Sequence, residues 1–548
     1  MGDSHPPFVR RAFGPTFGVF AATAVAPSRP APSCATLAAQ THPRACARRI
    51  VALAVTTSHY QIVIIGTDLA GLVFGALCAK RGYRVLVIGQ GSQGVLYEHQ
   101  GYTMCRRIEM PHGLSSPPIK RVFDELSLGL ELRNLPRALD PAFQVVLPKA
   151  RINVSTNAKL FERELKREFP GVEDEISYFF KRVAEIDADV EEVLKLRPNL
   201  PPTGVVETFQ FRRLVKRFPF LDDEWAIEDP LIRFVHGHPF RAFMNAPFRF
   251  TSGMLPARPY PATFVRAVTE LCKGTASFDH GPNALRQMFL NIIGAAGDFK
   301  QKDMVAQIDI SRGKAASVTL RDRRQVIGCD LLVCNMDPKR FFQLIPQEQQ
   351  NEEFHHQIHT LQPVYYTLVG NFVVRARAIP EAMAKHVFAI GDPSQPLEED
   401  NCIHMARDID TAAGTDDREV RLITAAMRVP IHATSGGARS AVTLLDKLQR
   451  RVEETIPFLS EHLLARHTPW LKSDEGDEDI DPTELQPCYG EAIPHTLGTS
   501  PVATTTGYRN ILVGGDASFC GLGHDGPYVA ALNLFAQATE RVPLKSGF

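Results

Sequence analysis

Residues 60–90, YQIVIIGTDLAGLVFGALCAKRGYRVLVIGQ, decide the fold. Ile62–Ile65 is a short β-branched run that ends at Gly66, and Val85–Ile88 is a second apolar run. Between them, Leu69–Lys80 has helical spacing with small residues on one side. The stretch therefore reads as strand, tight turn, helix and strand, a βαβ unit. In such a unit one glycine lets the chain turn out of the strand, a second lets backbone N–H groups approach a diphosphate, and a third lets helix and strand pack closely. Gly66 and Gly71 fill the first and third places; Asp68 stands in the second, where its carboxylate points at the diphosphate position. The place of the acid that usually takes the ribose hydroxyls falls on Gly89, with Gln90 next. The unit is thus predicted to keep the βαβ fold with two of its four binding determinants changed.

The remaining chain suits a large globular protein. Of 548 residues, 44% are hydrophobic and 22% charged, enough for two interleaved domains around a sizeable core. Lys plus Arg and Asp plus Glu are equal at 61 each, a balance that lends no support to a nucleic-acid partner. The ten cysteines form no CxxC pair, which favours a reduced, cytoplasmic protein. No apolar run is long enough for a membrane helix, so any membrane association is expected to be at the surface. Residues 1–57 are rich in Pro, Ala, Arg, Thr and Ser without period and are expected to be unfolded, or an over-extended reading frame whose start is Val55.

Beyond Gln90, a helix is expected at Ile119–Leu128 and a strand at Phe143–Leu147, and charged helical material runs from Lys159 to Arg197. Phe234, Phe240, Phe243, Phe248 and Phe250 follow closely; each reads most simply as core, and as a group they would suit an apolar tunnel. A helix in residues 281–297 and strands at Met304–Ile310, Ala316–Leu320 and Cys329–Cys334 resemble a return to the first domain. Strands at Tyr365–Val374, Val387–Ile390 and Arg421–Val429 and a helix at Ala441–Thr455 leave it again. His236 and His238 lack further ligands and no metal site is expected; the acidic run in 472–482 reads as a solvated loop. Near the end, RNILVGGDASFCGLGHDGPYVAALNLFAQA gives a strand at Ile511–Val513, a glycine loop and a helix from Gly526, echoing the opening unit.

With both ends read, residues 58–545 resemble the phytoene desaturase and retinol saturase branch of the FAD-dependent amine-oxidase superfamily. The likeness is carried by the opening βαβ, by PAFQVVLPKARINVSTNAKLFERELKREFPG, by the segment from Asp279 to Pro338 with VAQI and CDLLVCNMDP, and by LVGGDASFCGLGHDGPYVAAL. It implies an α/β, Rossmann-like FAD/NAD(P)-binding domain with a mixed sheet, formed by 58–150, 279–345 and 483–548. An α+β substrate domain, 151–278 and 346–482, would be interleaved with it. The resemblance places FAD against Gly66, Thr67, Leu69, Gly71 and Gln90, with adenine at the backbone of Val305. Gly515 and Asp516 would hold the ribityl chain, and Gly521 and Gly523 the flavin ring.

The activity implied is an FAD-dependent desaturase, saturase or isomerase acting on an apolar isoprenoid, carotenoid-like or lipid substrate. The count of 33 Phe against two Trp agrees with an apolar slot. His524 and Asp525 in the closing loop are the candidate proton donor and its orienting partner, unless Asp525 is simply the cap of the helix that follows. Cys520 beside them is a less favoured candidate for a covalent flavin anchor. Asp68 and Gly89, together with Gln93-Gly94-Val95 where many relatives have Gly-Gly-Arg, also open two alternatives. One is a cofactor-free member of the fold that binds a hydrophobic or prenylated partner, as Rab GDP-dissociation inhibitors do; the other is an amine oxidase.

Overall fold

A computed structural model describes residues 58–92, 94–196, 200, 202, 204–218, 229–255, 261–279, 281–321, 325–409, 420–471, 480–490, 497 and 502–544. The expectations for residues 1–57, for Gln93 and for most of the acidic run lie outside the described residues.

The opening unit forms as read. Strand β1 spans Ser58–Ile65, helix α1 Leu69–Lys80 and strand β2 Val85–Ile88. Ile62–Ile65 and all of β2 are buried, and α1 is buried nearly all round, so its weak amphipathicity is that of an internal helix. It has the sheet on one side and the helices Ala284–Ala296 and Gly526–Arg541 on the others. Gly75 makes this possible: a Cβ there would stand 3.0 Å from Ile64 and from Ile293.

The sheet holding β1 has seven strands. Its path runs Val305–Ser311, Lys314–Leu320, Val326–Cys334, β1, β2 and Asp298–Lys300, and Ile511–Val513 also pairs with Val326–Cys334. β1 is parallel to both neighbours, with Ile62 facing Leu331 on one side and Val85 on the other. The hairpin Val305–Leu320 adds an antiparallel edge. Segments far apart in the chain thus end their strands at one edge, where open α/β sheets bind their ligands.

A second, eight-stranded sheet is largely antiparallel. It is built around Gln362–Arg375, Val420–Pro430, Cys402–Ile409 and His386–Ile390. Phe143–Leu147 and Gln486–Gly490, which the sequence reading set among the nucleotide-binding segments, are hydrogen-bonded into this sheet, beside His386–Ile390 and Gln362–Arg375 respectively. The helices Glu173–Leu196, Pro239–Thr251 and Pro261–Cys272 pack near it. Their phenylalanines interlock: Phe234 and Phe240 stack at 4.4 Å, and Phe179, Phe240 and Phe243 are fully buried. The aromatic group is a close-packed core. His238 starts Pro239–Thr251, its Nδ1 accepting from the Phe240 amide at 3.2 Å. No helix of the described residues is long and apolar enough to cross a membrane.

Candidate functional site

The strands β1, Val326–Cys334 and Ile511–Val513 deliver three loops to one place: Gly66–Asp68, Asn335 and Gly514–Asp516. Asn335 ties them. Its amide nitrogen donates to the carbonyls of Gly66 at 3.2 Å and Asp68 at 2.9 Å, and its Oδ1 accepts from the Gly71 amide at 2.8 Å. Gly66 and Gly71 are glycines because of this residue. At φ +108° Gly66 would put a Cβ 2.0 Å from the Asn335 carbonyl oxygen, and a Cβ on Gly71 would stand 2.1 Å from the Asn335 side chain. Asn335 lies inside the CDLLVCNMDP segment, but nothing local marked it as a fastener of the first loop.

Asp68 precedes α1 without capping it. Its carboxylate crosses to the opposite loop, where Oδ2 accepts from the Asp516 amide at 3.1 Å and stands 2.8 Å from where a Cβ of Gly515 would be. Burial, and then the charge of Asp516, push the Asp68 carboxyl up to about 7. The Asp516 amide, Arg107 and Arg286 pull the other way. Neither arginine carried a sequence signal. Arg286 donates to the Thr67 carbonyl at 2.8 Å, and Glu109 pairs with Arg107 at 3.2 Å and lies 3.8 Å from Arg286. The Thr67 hydroxyl donates to Ser92 at 2.8 Å, and Leu69 is half-buried at the first turn of α1.

At the end of β2, Gln90 holds Val305 by both main-chain groups: its Oε1 accepts from the Val305 amide at 2.8 Å and its Nε2 donates to the carbonyl at 3.2 Å. Gly89 carries no acid for a steric reason, since a Cβ would lie 2.2 Å from the Gln301 carbonyl oxygen. Gly89→Glu is therefore expected to lower stability by ~2 kcal/mol or more, because a backbone atom cannot give way. Denaturant melts check this, and a stable variant would remove the steric account.

The closing loop departs from expectation. Close approaches at Gly514, Gly523 and Gly526 are taken by the protein itself, by Leu534 and by the carbonyls of Thr251 and Phe519, and Gly521 is buried. Asp525 neither caps Gly526–Arg541 nor orients His524. It accepts from the Ser116 hydroxyl and, at 2.9 Å, from Arg266 Nε. The His524 imidazole is pushed down to about 3 by burial and by His112, whose ring lies 5.2 Å away. It is neutral at physiological pH, so the expected donor pair is not assembled as read. Burial pushes the Cys520 thiol up, which removes the thiolate that a covalent anchor needs.

Arg266, fully buried, organises this region. Nη1 lies 2.9 Å from Asp187, 3.2 Å from Glu191 and 2.9 Å from Glu270, while Nε holds Asp525. Lys273 adds contacts of 2.6 Å to Glu191 and 2.8 Å to Glu270. Beside them is a cleft of about 10 Å³ lined by His112, Arg266, Glu270, Gly523, His524 and Asp525, the room of one water molecule.

The loops meeting at α1 bring together two features that suit a diphosphate, the start of a helix and two arginines, with the Asp68 and Gly71 amides already held by Asn335. A carboxylate among them repels a diphosphate, whereas the protonated acid does not; with Asp68 neutral the residues fit an adenine dinucleotide such as FAD.

No family model matches the chain, and no curated protein sequence matches it. Solved structures do. An oxidoreductase from Methanosarcina mazei superposes with a TM-score of 0.54 at 15% identity, covering 87% of this chain and 99% of that one. Cyclohexylamine oxidase from Brevibacterium oxydans gives 0.50 at 12% identity, covering 88% and 99%. A Rab GDI from Plasmodium falciparum gives 0.50 at 10% identity, covering 87% and 98%. The chain therefore shares the α/β fold of these three solved structures. At 10–15% identity the likeness shows the fold alone.

Proposed function

We propose that the protein is an FAD-dependent oxidoreductase acting on an apolar substrate of isoprenoid, carotenoid-like or lipid type, by desaturation, saturation or isomerisation. The observation that carries it is the meeting of Gly66–Gly71 with Gly515–Asp516 at the start of α1, flanked by Arg107 and Arg286. In this reading Gly66, Thr67, Leu69 and Gly71 face the diphosphate, Gln90 and Val305 the adenosine half, and Gly515, Asp516, Gly521 and Gly523 the rest of the cofactor. Bound FAD supplies hydride or electron transfer, and the chain supplies position and shelter from water. An apolar substrate is favoured over an amine because Asp187, Glu191, Glu270 and Asp525 near the closing loop are already engaged by Arg266 and Lys273 and do not stand ready for an ammonium group. Helix Gly204–Val215 exposes Val205, Val206 and Phe209, which suits contact with a lipid surface.

The second reading, a cofactor-free protein that binds a hydrophobic or prenylated partner, is favoured by Asp68 on the Asp516 amide and Gln90 on Val305. Purified protein supplied with FAD and freed of excess separates the two. Retained yellow flavin supports the enzyme. Bleaching by an apolar polyene or lipid without oxygen marks desaturation, return of the yellow colour when the same compound meets reduced flavin marks saturation, and a rearranged product with no net colour change marks isomerisation. Protein that stays colourless with FAD at every pH supports the binding protein.

A further inference from the structure

We propose that the dinucleotide cleft is closed from within by two of the chain's own side chains, Asp68 at the diphosphate place and Gln90 at the adenosine place, so that FAD enters with uptake of one proton at Asp68. The proposal deepens the FAD reading and rests on it.

The position of both side chains follows from the βαβ unit. A diphosphate sits at the start of the first helix, and the ribose sits at the end of the second strand. Asp68 is the residue that precedes α1, yet its side chain makes no bond to the amides of that helix. It reaches across to the Asp516 amide instead and fills the gap between the two glycine loops. An internal anion thereby takes a donor that faces the anion place. Gln90 acts similarly at the end of β2. Its side-chain amide engages the N–H and C=O of Val305 together, and adenine can present the same kind of adjacent acceptor and donor. Both bonds are made by side chains rather than by strand pairing, so breaking them leaves the ladder of the sheet intact.

The proton follows from charge. Asp68 is faced by Asp516 from the loop after Ile511–Val513, by Arg107 from the stretch after strand Tyr102–Cys105 and by Arg286 from helix Ala284–Ala296, with Glu109 lying against both arginines. Cys334 and Tyr489 also sense it, and burial keeps both protonated. An arriving diphosphate adds two negative charges beside the carboxylate, so the complex forms with the neutral acid, the proton coming from solvent. With the carboxyl at about 7 in the free protein, affinity is flat at lower pH and falls about tenfold per pH unit above it.

The test is FAD titration followed by quenching of flavin fluorescence, with calorimetry in two buffers of different ionisation heat to count protons. For the natural chain, Kd should rise about tenfold from pH 6 to pH 8, with close to one proton taken up at pH 8. D68N keeps the size of the side chain and an acceptor for the Asp516 amide but cannot ionise. It should bind equally at both pH values, about tenfold tighter than the natural chain at pH 8. Q90A should bind more tightly at both values with the slope unchanged. Equal slopes in D68N and the natural chain would overturn the proposal, as would a natural chain that binds without slope. Uptake by D68N alone would overturn proton-coupled entry and leave the natural chain cofactor-free. If folded natural and D68N proteins both refuse FAD at both pH values, the FAD reading itself falls.

Discussion

Arg266→Ala is expected to destabilise the protein by ~3–5 kcal/mol, because it leaves buried carboxylates without their cation. Arg266 is fully buried, and the carboxylates of Asp187, Glu270 and Asp525 around it are buried as well. Burial already raises Asp187, and it pushes Glu270 up to about 7 despite the cation. Without Arg266 these acids face one another with Lys273 as the remaining neighbour. The folded-state values of Asp187 and Glu270 then rise further above those of the unfolded chain. A raised carboxyl contributes stability that is present at low pH and lost as pH rises, so the variant should lose more at pH 8 than at pH 5.5. Denaturant melts at the two values decide it. A small, pH-independent loss would show that the network contributes nothing beyond packing.

Gly66→Ala is expected to cost on the order of 4 kcal/mol or to prevent folding, since strain and overpacking add at one backbone position. The residue sits at φ +108°, and the atoms a Cβ would meet are the carbonyl of Asn335 at 2.0 Å and the Met336 Cβ at 2.9 Å. Moving them would break the Asn335 bonds to Gly66, Asp68 and Gly71. Gly82 provides the comparison: its φ is +92° and nothing lies within 4 Å of its Cβ position. Gly82→Ala should therefore show the backbone strain alone, about 1–3 kcal/mol. Equal losses at the two sites, measured by denaturant melts, would show that the contact with Asn335 is unimportant.

Most of the local structure was legible because it depends on near neighbours. The limits of α1 and β2 follow from an apolar helix and an apolar strand separated by the turn at Gly82. Strand Phe143–Leu147, strand Ile511–Val513 and the helix from Gly526 were legible in the same way. What such patterns could not assign was the sheet: Phe143–Leu147 finds its parallel partner in His386–Ile390, a pairing that no local period encodes.

The candidate site divides along the same line. Asp68 and Gly89 were visible as departures from the dinucleotide pattern, because that pattern is local. Their meaning was decided in three dimensions, by an amide 448 residues away for Asp68 and by the backbone of Gln301 for Gly89. Gln90 meets Val305 across 215 residues, and Arg286 meets Thr67 across 219. His524 and Asp525 show the limit most directly. They are adjacent in sequence and read as a pair, but Asp525 is taken by Arg266, 259 residues distant, and by Ser116, 409 residues distant. A buried carboxylate binds the charge that desolvation leaves nearest, and only the folding of the whole chain determines which charge that is.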